Sequence, residues 1–372
     1  MRVKIINIVG ARPNFMKIAP ITAEMNRHRD AIGHLLVHTG QHYDEAMSKS
    51  FFEDLDIPRP DIDLEVGSAS HAEQTARIMT KFEKVLISER PDLILVVGDV
   101  NSTLACSVTA AKLCIPVAHV EAGLRSFDRG MPEEINRVVT DALSDYLFTT
   151  CRDADENLKR EGVPAEKIFF VGNVMIDTLL KHREKAAAST ILQDTGLNGA
   201  PYALLTLHRP SNVDDRETLM DIVSALKTIS QDIPILFPAH PRTRKQIQLF
   251  GLDSEFHELH APLPAKGIHI MEPVGYIDFL YLMERASLLL TDSGGIQEET
   301  TILGVPCITM RENTERPVTI TEGTNTLVGT DRSRIVDEAL KCLNGRGKEG
   351  RVPELWDGRA SERIVRTLIE KL

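Results

Sequence analysis

Short apolar runs alternate with longer amphipathic stretches along most of the chain, and each run predicts one strand. In the first half these runs fall at 3–9, 35–39, 92–99, 115–122 and 146–150, and a strand that enters a helix is predicted over 168–177. One helix is predicted to begin at about Asn14, and a separate one to run through Phe51 and Phe52. Further helices are predicted over 71–89, 101–113, 132–145 and 153–161. A strand that is apolar throughout is covered on both faces, so this alternation predicts a doubly wound parallel sheet.

Residues 184–200 interrupt the alternation with Ala, Gly and polar residues, which predicts a linker or domain joint. Strand and helix signals then resume from residue 202 and end in an amphipathic tail, "SERIVRTLIEKL". The chain thus predicts an α/β fold of two Rossmann-like domains, 1–178 and 179–359, with a final helix over 360–372. Parallel sheets bind ligands beyond the carboxyl ends of their strands, so we expect a cleft between the two domains.

Composition narrows the class of protein. The 372 residues are 42% hydrophobic and 26% charged, with a net charge of −11. The chain has no excess of basic residues, which argues against a nucleic-acid partner. A local cationic pocket could still bind a small anion. No apolar run is long enough to span a membrane, and no signal peptide is predicted. Five cysteines without a C-x-x-C pair indicate reduced thiols and a cytoplasmic protein.

Polar clusters follow the predicted strands, which indicates one functional site at the strand ends. They are "GARPNFMK" at 10–17, "GDVNST" at 98–103, "HVEAGLRS" at 119–126, "HRPSN" at 208–212, "AHPRTR" at 239–244 and "TDSGGIQEE" at 291–299. In the first cluster Gly10 permits a tight turn, and Arg12 and Lys17 could neutralise a phosphate near a helix N-terminus. An ordinary turn with solvated cations is the alternative.

Two carboxylates, Asp99 and Glu121, end apolar strands that we expect to be neighbours. A buried carboxylate needs a partner. Carboxylates that lie close together also push one another's pKa values apart, as a pair of one acid and one base requires. The helix start "MPEEINR" adds Glu133, Glu134 and Arg137, although acidic residues there also stabilise the helix dipole.

The second half offers one histidine and one glycine-rich helix start. His208 ends a strand beside Asn212, and a structural role is as plausible as a catalytic one. The histidines lack a spacing such as H-E-x-x-H, so no metal site is predicted. Backbone N–H groups after Ser293 favour anionic oxygens, and the absence of a following lysine favours a nucleoside diphosphate. Glu298 and Glu299 could then accept hydrogen bonds from ribose hydroxyls.

Taken together, the motifs resemble the non-hydrolysing UDP-N-acetylglucosamine 2-epimerases over nearly the whole chain. The segments that carry the resemblance are "GARPNFMK", "TGQHYD", "GDVNST", "HVEAGLRS", "PEEINR", "TLHRPSN" and "TDSGGIQEE" followed by "TERP". The resemblance implies a glycosyltransferase-B-like fold whose last helix returns to the first domain. It also implies a homodimer that interconverts UDP-GlcNAc and UDP-ManNAc without a cofactor, by anti-elimination of UDP to 2-acetamidoglucal and syn re-addition.

The resemblance also implies a role for each matching position. The catalytic residues would be Asp99, Glu121, Glu133 and His208. Which of these groups removes the C2 proton stays open. The substrate-binding residues would be Arg12, Lys17, Arg137, Asn212, Tyr276, Ser293, Gly294, Gly295, Glu299 and Arg316, with Tyr276 beside uracil.

The chain departs from the family pattern at two places. The common "HRREN" is "HRPSN" here, so Pro210 and Ser211 put regulation and the accepted sugar substituents in doubt. Asp44 stands where the family has a glutamine that contacts an activating second UDP-GlcNAc. A like charge there predicts hyperbolic kinetics without activation. An epimerase of a UDP-diacetamido-uronic acid sugar, a hydrolysing 2-epimerase, a transferase and a nucleotide-sugar sensor remain alternatives.

Overall fold

The structure is a computed structural model that describes residues 2–41, 55, 59–197 and 199–372. His42, Asp44 and the helix predicted through Phe51 and Phe52 lie outside these residues, as does the side chain of Arg12. The chain forms two compact units, which we call unit 1 (Met1–Lys181 with Glu354–Leu372) and unit 2 (His182–Pro353).

Unit 1 is built on a parallel sheet whose order, over the described residues, is β3-β2-β1-β4-β5-β6-β7. The strands are β1 (Val3–Val9), β2 (Ile32–His38), β3 (Ile62–Asp63), β4 (Leu93–Val97), β5 (Val117–Ala122), β6 (Tyr146–Thr149) and β7 (Ile168–Phe170). The helices are α1 (Arg12–Arg27), α2 (His71–Glu89), α3 (Asn101–Lys112), α4 (Pro132–Leu143), α5 (Arg152–Arg160) and α6 (Val174–Ala187), which continues into unit 2. Every residue of β4 is buried, as a strand covered on both faces must be.

Unit 2 contains a second parallel sheet whose described strands follow the order β10-β11-β9-β8-β12-β13-β14. They are β8 (Ala203–Thr206), β9 (Ile235–Pro238), β10 (His257–Glu258), β11 (Ile268–Met271), β12 (Leu288–Thr291), β13 (Cys307–Thr309) and β14 (Asn325–Leu327). The helices are α7 (Ile191–Asp194), α8 (Pro210–Val213), α9 (Arg216–Ile229), α10 (Pro241–Leu249), α11 (Tyr276–Arg285), α12 (Gly294–Leu303), α13 (Val318–Thr321) and α14 (Arg332–Lys341). These two sheets confirm the predicted α/β fold of two Rossmann-like halves.

The C-terminal helix α15 (Ala360–Lys371) belongs to unit 1, where it packs against α1. Its N-terminus is held by Asp177 of α6, whose carboxylate accepts from the backbone N–H groups of Ala360 at 3.1 Å and Ser361 at 2.8 Å. Just before the helix, the indole N–H of Trp356 donates to the Thr150 carbonyl at 2.9 Å. The two bonds to Asp177 satisfy backbone N–H groups that a helix end leaves without an intrahelical partner.

The segment 184–200, predicted as a linker or domain joint, contains the end of α6 at Ala187 and the short helix α7 at 191–194, and the boundary between the two units lies just before it, at Lys181/His182. Alanine has the highest helix propensity, so the Ala-rich composition of this segment favoured a helix. The short strands β3 and β10 and the single-turn helices α8 and α13 were not predicted, because so few residues carry no periodicity. Among the described helices, none combines the length and the apolar character needed to cross a membrane.

Candidate active site

The polar cluster of unit 1 is centred on Gly98, directly after β4. Gly98 has a left-handed φ of +67°, and a Cβ there would lie 3.0 Å from Lys17 Nζ, 3.3 Å from Asn14 Nδ2 and 3.4 Å from Glu121 Oε2. Both the conformation and the space therefore require glycine. Asn14, which the sequence did not single out, donates to the Val97 carbonyl at 2.9 Å and so ties α1 to the end of β4.

Glu121 lies at an irregularity in β5. The register between β5 and β6 shifts between Val120 and Ala122, and Glu121 itself has a φ of +74°. A non-glycine residue in this conformation costs on the order of 1–3 kcal/mol, and bulges near active sites redirect a side chain. The redirected carboxylate forms a buried ion pair with Lys17. Losing one partner of such a pair costs about 3–5 kcal/mol, because the other charge is left buried.

Asp99 is held by Arg137, which like Lys17 is a buried cation of this cluster. The buried Arg137 guanidinium pairs with Asp99 and also with Glu134, where Nη2 and Oε2 are 2.9 Å apart. Glu134 also accepts from the Ser126 backbone N–H at 3.0 Å. Glu134 is buried, whereas Glu133 is exposed on the first turn of α4. The structure thus brings Asp99 and Arg137 together as ion-pair partners and leaves Glu133 outside their network.

At the N-terminus of α1, the backbone of Gly10 lies close to the side chain of Ser102. A Cβ at Gly10 would lie 2.0 Å from Ser102 Oγ, so this turn tolerates only glycine. The Ser102 hydroxyl in turn donates to Gln41 Oε1 at 2.6 Å. Asn14 Oδ1 accepts from the Ala11 backbone N–H at 2.9 Å, which stabilises the first turn of the helix.

In unit 2 the corresponding cluster is organised by Asp292, which the sequence interpretation missed. Its fully buried carboxylate accepts from the backbone N–H groups of His208 at 2.9 Å and Arg209 at 2.8 Å. The other carboxylate oxygen lies 3.0 Å from His208 Nδ1. Burial alone would raise the pKa of Asp292, but the bonds from His208 and Arg209 lower it. An ionised Asp292 fixes the His208 tautomer with Nδ1–H as donor, so that Nε2 is the nitrogen able to accept a proton.

The start of α12 is shaped by glycines of two kinds. A Cβ at Gly294 would come within 2.6 Å of both Arg316 Nη1 and Glu315 Oε1, whereas a Cβ at Gly295 would meet nothing within 4 Å. A side chain at Gly294 would therefore displace the ends of Arg316 and Glu315, whereas Gly295 leaves open space beside the helix N-terminus. The partial positive charge of that terminus favours an anion. Ser293, the residue before the helix, donates its own N–H to Thr291 Oγ1 at 2.9 Å.

Three arginines surround this helix start, with two buried carboxylates between them. Arg316 pairs with Glu315 and, through Nε, with Glu298 Oε1 at 2.9 Å. Arg311 lies 2.9 Å and Arg209 lies 3.9 Å from Glu315. Burial alone would raise the pKa of Glu315, but the three arginines hold it well below its usual range.

Glu299, further along α12, and Tyr276, the first residue of α11, form a buried pair. The Tyr276 hydroxyl donates to Glu299 Oε1 at 2.8 Å. Burial, together with the nearby Glu298, raises the pKa of Glu299 to about 7 despite the hydrogen bond from Tyr276, which lowers it. Burial and Glu299 also raise the pKa of Tyr276 well above its usual value. The edge of the His182 ring faces Tyr276, with the centroids 6.5 Å apart.

Most residues singled out from the sequence thus lie in contact with one another within their own unit. The structure brings together Lys17 with Glu121, Arg137 with Asp99, His208 and Asn212 with Asp292, Gly294 with Arg316, and Tyr276 with Glu299. Asp292 could have been found by the argument used for Asp99 and Glu121, because it is a carboxylate that ends an apolar strand.

Comparison with known proteins identifies the family. The sequence model of the UDP-N-acetylglucosamine 2-epimerase family matches residues 24–369. The UDP-N-acetylglucosamine 2-epimerase of Methanocaldococcus jannaschii is 45% identical over 370 residues, which are 98% of each chain. A Pseudomonas aeruginosa UDP-2,3-diacetamido-2,3-dideoxy-D-glucuronate 2-epimerase is 42% identical over 368 residues, covering 98% of this chain and 99% of that protein.

Structural similarity agrees with the sequence matches. The crystal structure of the Methanocaldococcus jannaschii enzyme in complex with UDP-GlcNAc and UDP aligns with a TM-score of 0.89 at 44% identity, covering 99% of this chain and all of that one. These matches confirm the family and the enzyme class, an isomerase, that the sequence motifs predicted. The chain belongs to the UDP-N-acetylglucosamine 2-epimerase family.

Proposed function

We propose that this chain interconverts UDP-GlcNAc and UDP-ManNAc by eliminating UDP to 2-acetamidoglucal and adding it back. The observation that carries the proposal is the cluster around Gly98, where two carboxylates on neighbouring strand ends are each held by a buried cation. Ion-paired carboxylates in fixed positions are suited to proton transfer at carbon. The family relationship supplies the substrate class.

The reaction sets the number of groups that the protein must provide. Elimination breaks the C2–H bond and the C1–O bond to UDP, and the electron pair of the former forms the C1=C2 double bond. Re-addition forms the C1–O bond again while C2 takes a proton on its opposite face. One group must therefore accept a proton on one face of the sugar, and another must donate a proton on the other.

We assign these proton transfers to Asp99, Glu121, Glu133 and His208, as the motifs suggest. Two observations support parts of the assignment. Asp99 and Glu121 are positioned by Arg137 and Lys17, and His208 is fixed by Asp292 with Nε2 as acceptor. Glu133 stays a prediction from the resemblance, because in unit 1 it is exposed on α4.

We assign the uridine diphosphate to unit 2. The open space beside Gly295, the N-terminus of α12 and the guanidinium of Arg316 suit the diphosphate. Glu299 is assigned to the ribose hydroxyls, and Tyr276 to a place beside the uracil. In the structure the Tyr276 hydroxyl and the Glu299 carboxylate already share a hydrogen bond, so ribose binding has to compete with or add to that bond.

A UDP-diacetamido-uronic acid sugar is the second candidate substrate. The relative that acts on such a sugar is 42% identical, against 45% for the UDP-GlcNAc 2-epimerase, and the coverage is the same. Pro210 and Ser211, which replace the family's usual Arg and Glu, are both exposed on α8 and suit a difference in the sugar accepted. A cytoplasmic homodimer that serves polysaccharide biosynthesis is part of the same proposal.

Proton NMR of the purified protein in D2O tests the proposal. With UDP-GlcNAc as substrate, UDP-ManNAc should appear and C2 should acquire deuterium, because elimination breaks the C2–H bond. Epimerisation that keeps the C2 proton would exclude elimination, and release of free ManNAc would indicate a hydrolysing enzyme. Turnover of the diacetamido-uronate sugar alone would select the second substrate, and UDP release only with an added acceptor would indicate a transferase.

Regulation by a second substrate molecule is a separate prediction, and Asp44 lies outside the described residues. A carboxylate about 4 Å from a diphosphate costs roughly 4 kcal/mol near a protein surface, which is enough to prevent weak activator binding. We expect hyperbolic kinetics in UDP-GlcNAc and conversion of UDP-ManNAc without a lag. A lag that a trace of UDP-GlcNAc removes would show that the activating site is intact. The variant Asp44→Gln should then create or strengthen that lag.

A further inference from the structure

A fully buried histidine lies behind the Gly98 cluster. His119 is in β5, two residues before Glu121, and both of its ring nitrogens face hydrogen-bond acceptors. Nδ1 is 2.6 Å from Asp141 Oδ1, and Nε2 is 2.8 Å from the Gly98 carbonyl. A neutral imidazole has only one N–H, so both contacts can be hydrogen bonds from the ring only if it carries two protons.

Asp141, on α4, is in no position to supply that missing proton. Its second oxygen accepts from the Gly123 backbone N–H at 3.0 Å and from Arg125 Nη1 at 2.7 Å. Burial alone would raise the pKa of Asp141, but His119 and Arg125 lower it. The carboxylate is therefore ionised and acts as an acceptor for His119. Arg125 also pairs with Glu161, at 2.6 Å.

The network holds the two turns that carry the carboxylates of the cluster. Gly98, whose carbonyl accepts from His119, directly precedes Asp99 and has a left-handed φ of +67°. Gly123, whose N–H donates to Asp141, follows the bulge at Glu121 and has a φ of +78°. Left-handed turns at strand ends keep one geometry only when their surroundings hold them.

We propose that His119, held between Asp141 and the Gly98 carbonyl, is a positioning residue that fixes the turns bearing Asp99 and Glu121. It does not touch the substrate; it acts through the Gly98 carbonyl. The inference rests on the proposed function for its kinetic readout, but the hydrogen bond from the ring to the Gly98 carbonyl does not. A misplacement of about 1 Å in a catalytic group can lower turnover about 10²-fold, so the effect should be measurable.

Two isosteric variants separate the two contacts of the ring. In His119→Asn the amide nitrogen can take the place of Nδ1 and keep the bond to Asp141, but it cannot reach the Gly98 carbonyl. In His119→Gln the amide can take the place of Nε2 and keep the bond to Gly98. We expect kcat to fall about 10²-fold in His119→Asn and less than about tenfold in His119→Gln, with KM nearly unchanged in both.

The matched control is His269→Gln in unit 2. His269 is also buried, with one ring nitrogen 2.9 Å from the Lys266 carbonyl, but it adjoins no residue of the proposed site. This variant should lose stability without a selective loss of kcat. The inference is overturned if His119→Gln loses at least as much kcat as His119→Asn, or if both keep the wild-type kcat.

A second test does not need activity. In a 15N-histidine spectrum, His119, assigned by its absence in His119→Gln, should show a proton on Nε2, the nitrogen that lies 2.8 Å from the Gly98 carbonyl. A ring without a proton on Nε2 overturns the inference, even if the Asn variant does not fold. A wild-type chain that leaves UDP-GlcNAc unchanged overturns the proposed function instead, and the 15N spectrum then decides the inference on its own.

Discussion

The carboxylates that we assign to proton transfer in unit 1 and to ribose in unit 2 differ in the groups beside them. In unit 1, Glu121 pairs with Lys17 and Asp99 pairs with Arg137, so each carboxylate has a cation beside it. In unit 2, Glu299 accepts a hydrogen bond from the uncharged hydroxyl of Tyr276, and burial together with the nearby Glu298 raises its pKa. Glu299 is therefore easily protonated, unlike Asp292 and Glu315 of the same unit, whose partners lower their pKa values.

The difference comes from the neighbouring helices and not from the strands. Lys17 is supplied by α1, which follows the first strand of unit 1, whereas Tyr276 is supplied by α11 in unit 2. Both sheets have seven described strands, and all pairings between these strands are parallel. A shared fold thus fixes where side chains converge, while the residue types on adjacent helices decide what the site does. This comparison supports the proposed assignment of proton transfer to Asp99 and Glu121 and of the ribose hydroxyls to Glu299.

The largest expected effect is on turnover in unit 1. Asp99→Asn keeps the shape of the side chain but removes its charge and its basicity, so kcat should fall about 10²- to 10⁴-fold, the range of general acid–base catalysis. UDP affinity, measured by calorimetry, should stay nearly the same. Asp153→Asn, at an exposed position of α5, is the matched control and should change neither quantity. A loss of UDP affinity with normal turnover would mean that the roles of the two units are exchanged.

A smaller effect is expected on nucleotide affinity in unit 2. Glu299→Ala removes the acceptor assigned to the ribose hydroxyls, and a hydrogen bond to a charged group contributes about 1.5–3 kcal/mol. Calorimetry with UDP should therefore show affinity lower by roughly 10- to 150-fold. Asp337→Ala, at an exposed position of α14, serves as the control. Unchanged UDP affinity in Glu299→Ala would remove the ribose assignment.

Much of this architecture could be predicted because local signals agree with the fold. The bounds of β1 match the prediction because its apolar run ends at Gly10. The bounds of α2 also match, because Ser70 caps its N-terminus and Pro91 follows its end. Polar clusters after apolar runs located Asp99 in the same way. These features depend on residues that are near one another in sequence, so a single chain reveals them.

The partners of the site residues could not be predicted, because they come from distant parts of the chain. Helix α4 shows the difficulty most clearly. Its buried face carries Glu134, Arg137 and Asp141, whereas Ile135 and Val138 are 36% and 40% exposed within unit 1. Hydrophobic periodicity assigns the apolar side of a helix to the core, so it points the wrong way here. Only the packing shows that a polar face supports two strand ends, and that Glu134 is the buried glutamate.

The smallest expected effect, and the sharpest test of the comparison, is the pH dependence of Glu299. Its pKa is raised from 4.5 to about 7 in the folded protein. Between these values the folded state binds more protons than the unfolded state, so this group makes the free energy of unfolding decrease as pH rises through that window. Ribose hydroxyls donate better to an ionised carboxylate, so uridine affinity should rise over the same window, by about tenfold from roughly pH 6 to pH 8.

Uridine is the suitable ligand because it has no phosphate to titrate, and the two opposite trends separate Glu299 from general pH effects. Calorimetry should give the affinity and thermal unfolding the stability, both at constant ionic strength. Glu299→Gln should flatten both trends. Tyr276→Phe should move the rise in uridine affinity to higher pH, because the lost hydrogen bond is the contact that lowers the pKa of Glu299. If affinity and stability instead change in the same direction, or if Glu299→Gln keeps both slopes, Glu299 is ionised throughout. The contrast between Glu299 and the ion-paired carboxylates of unit 1 would then be lost.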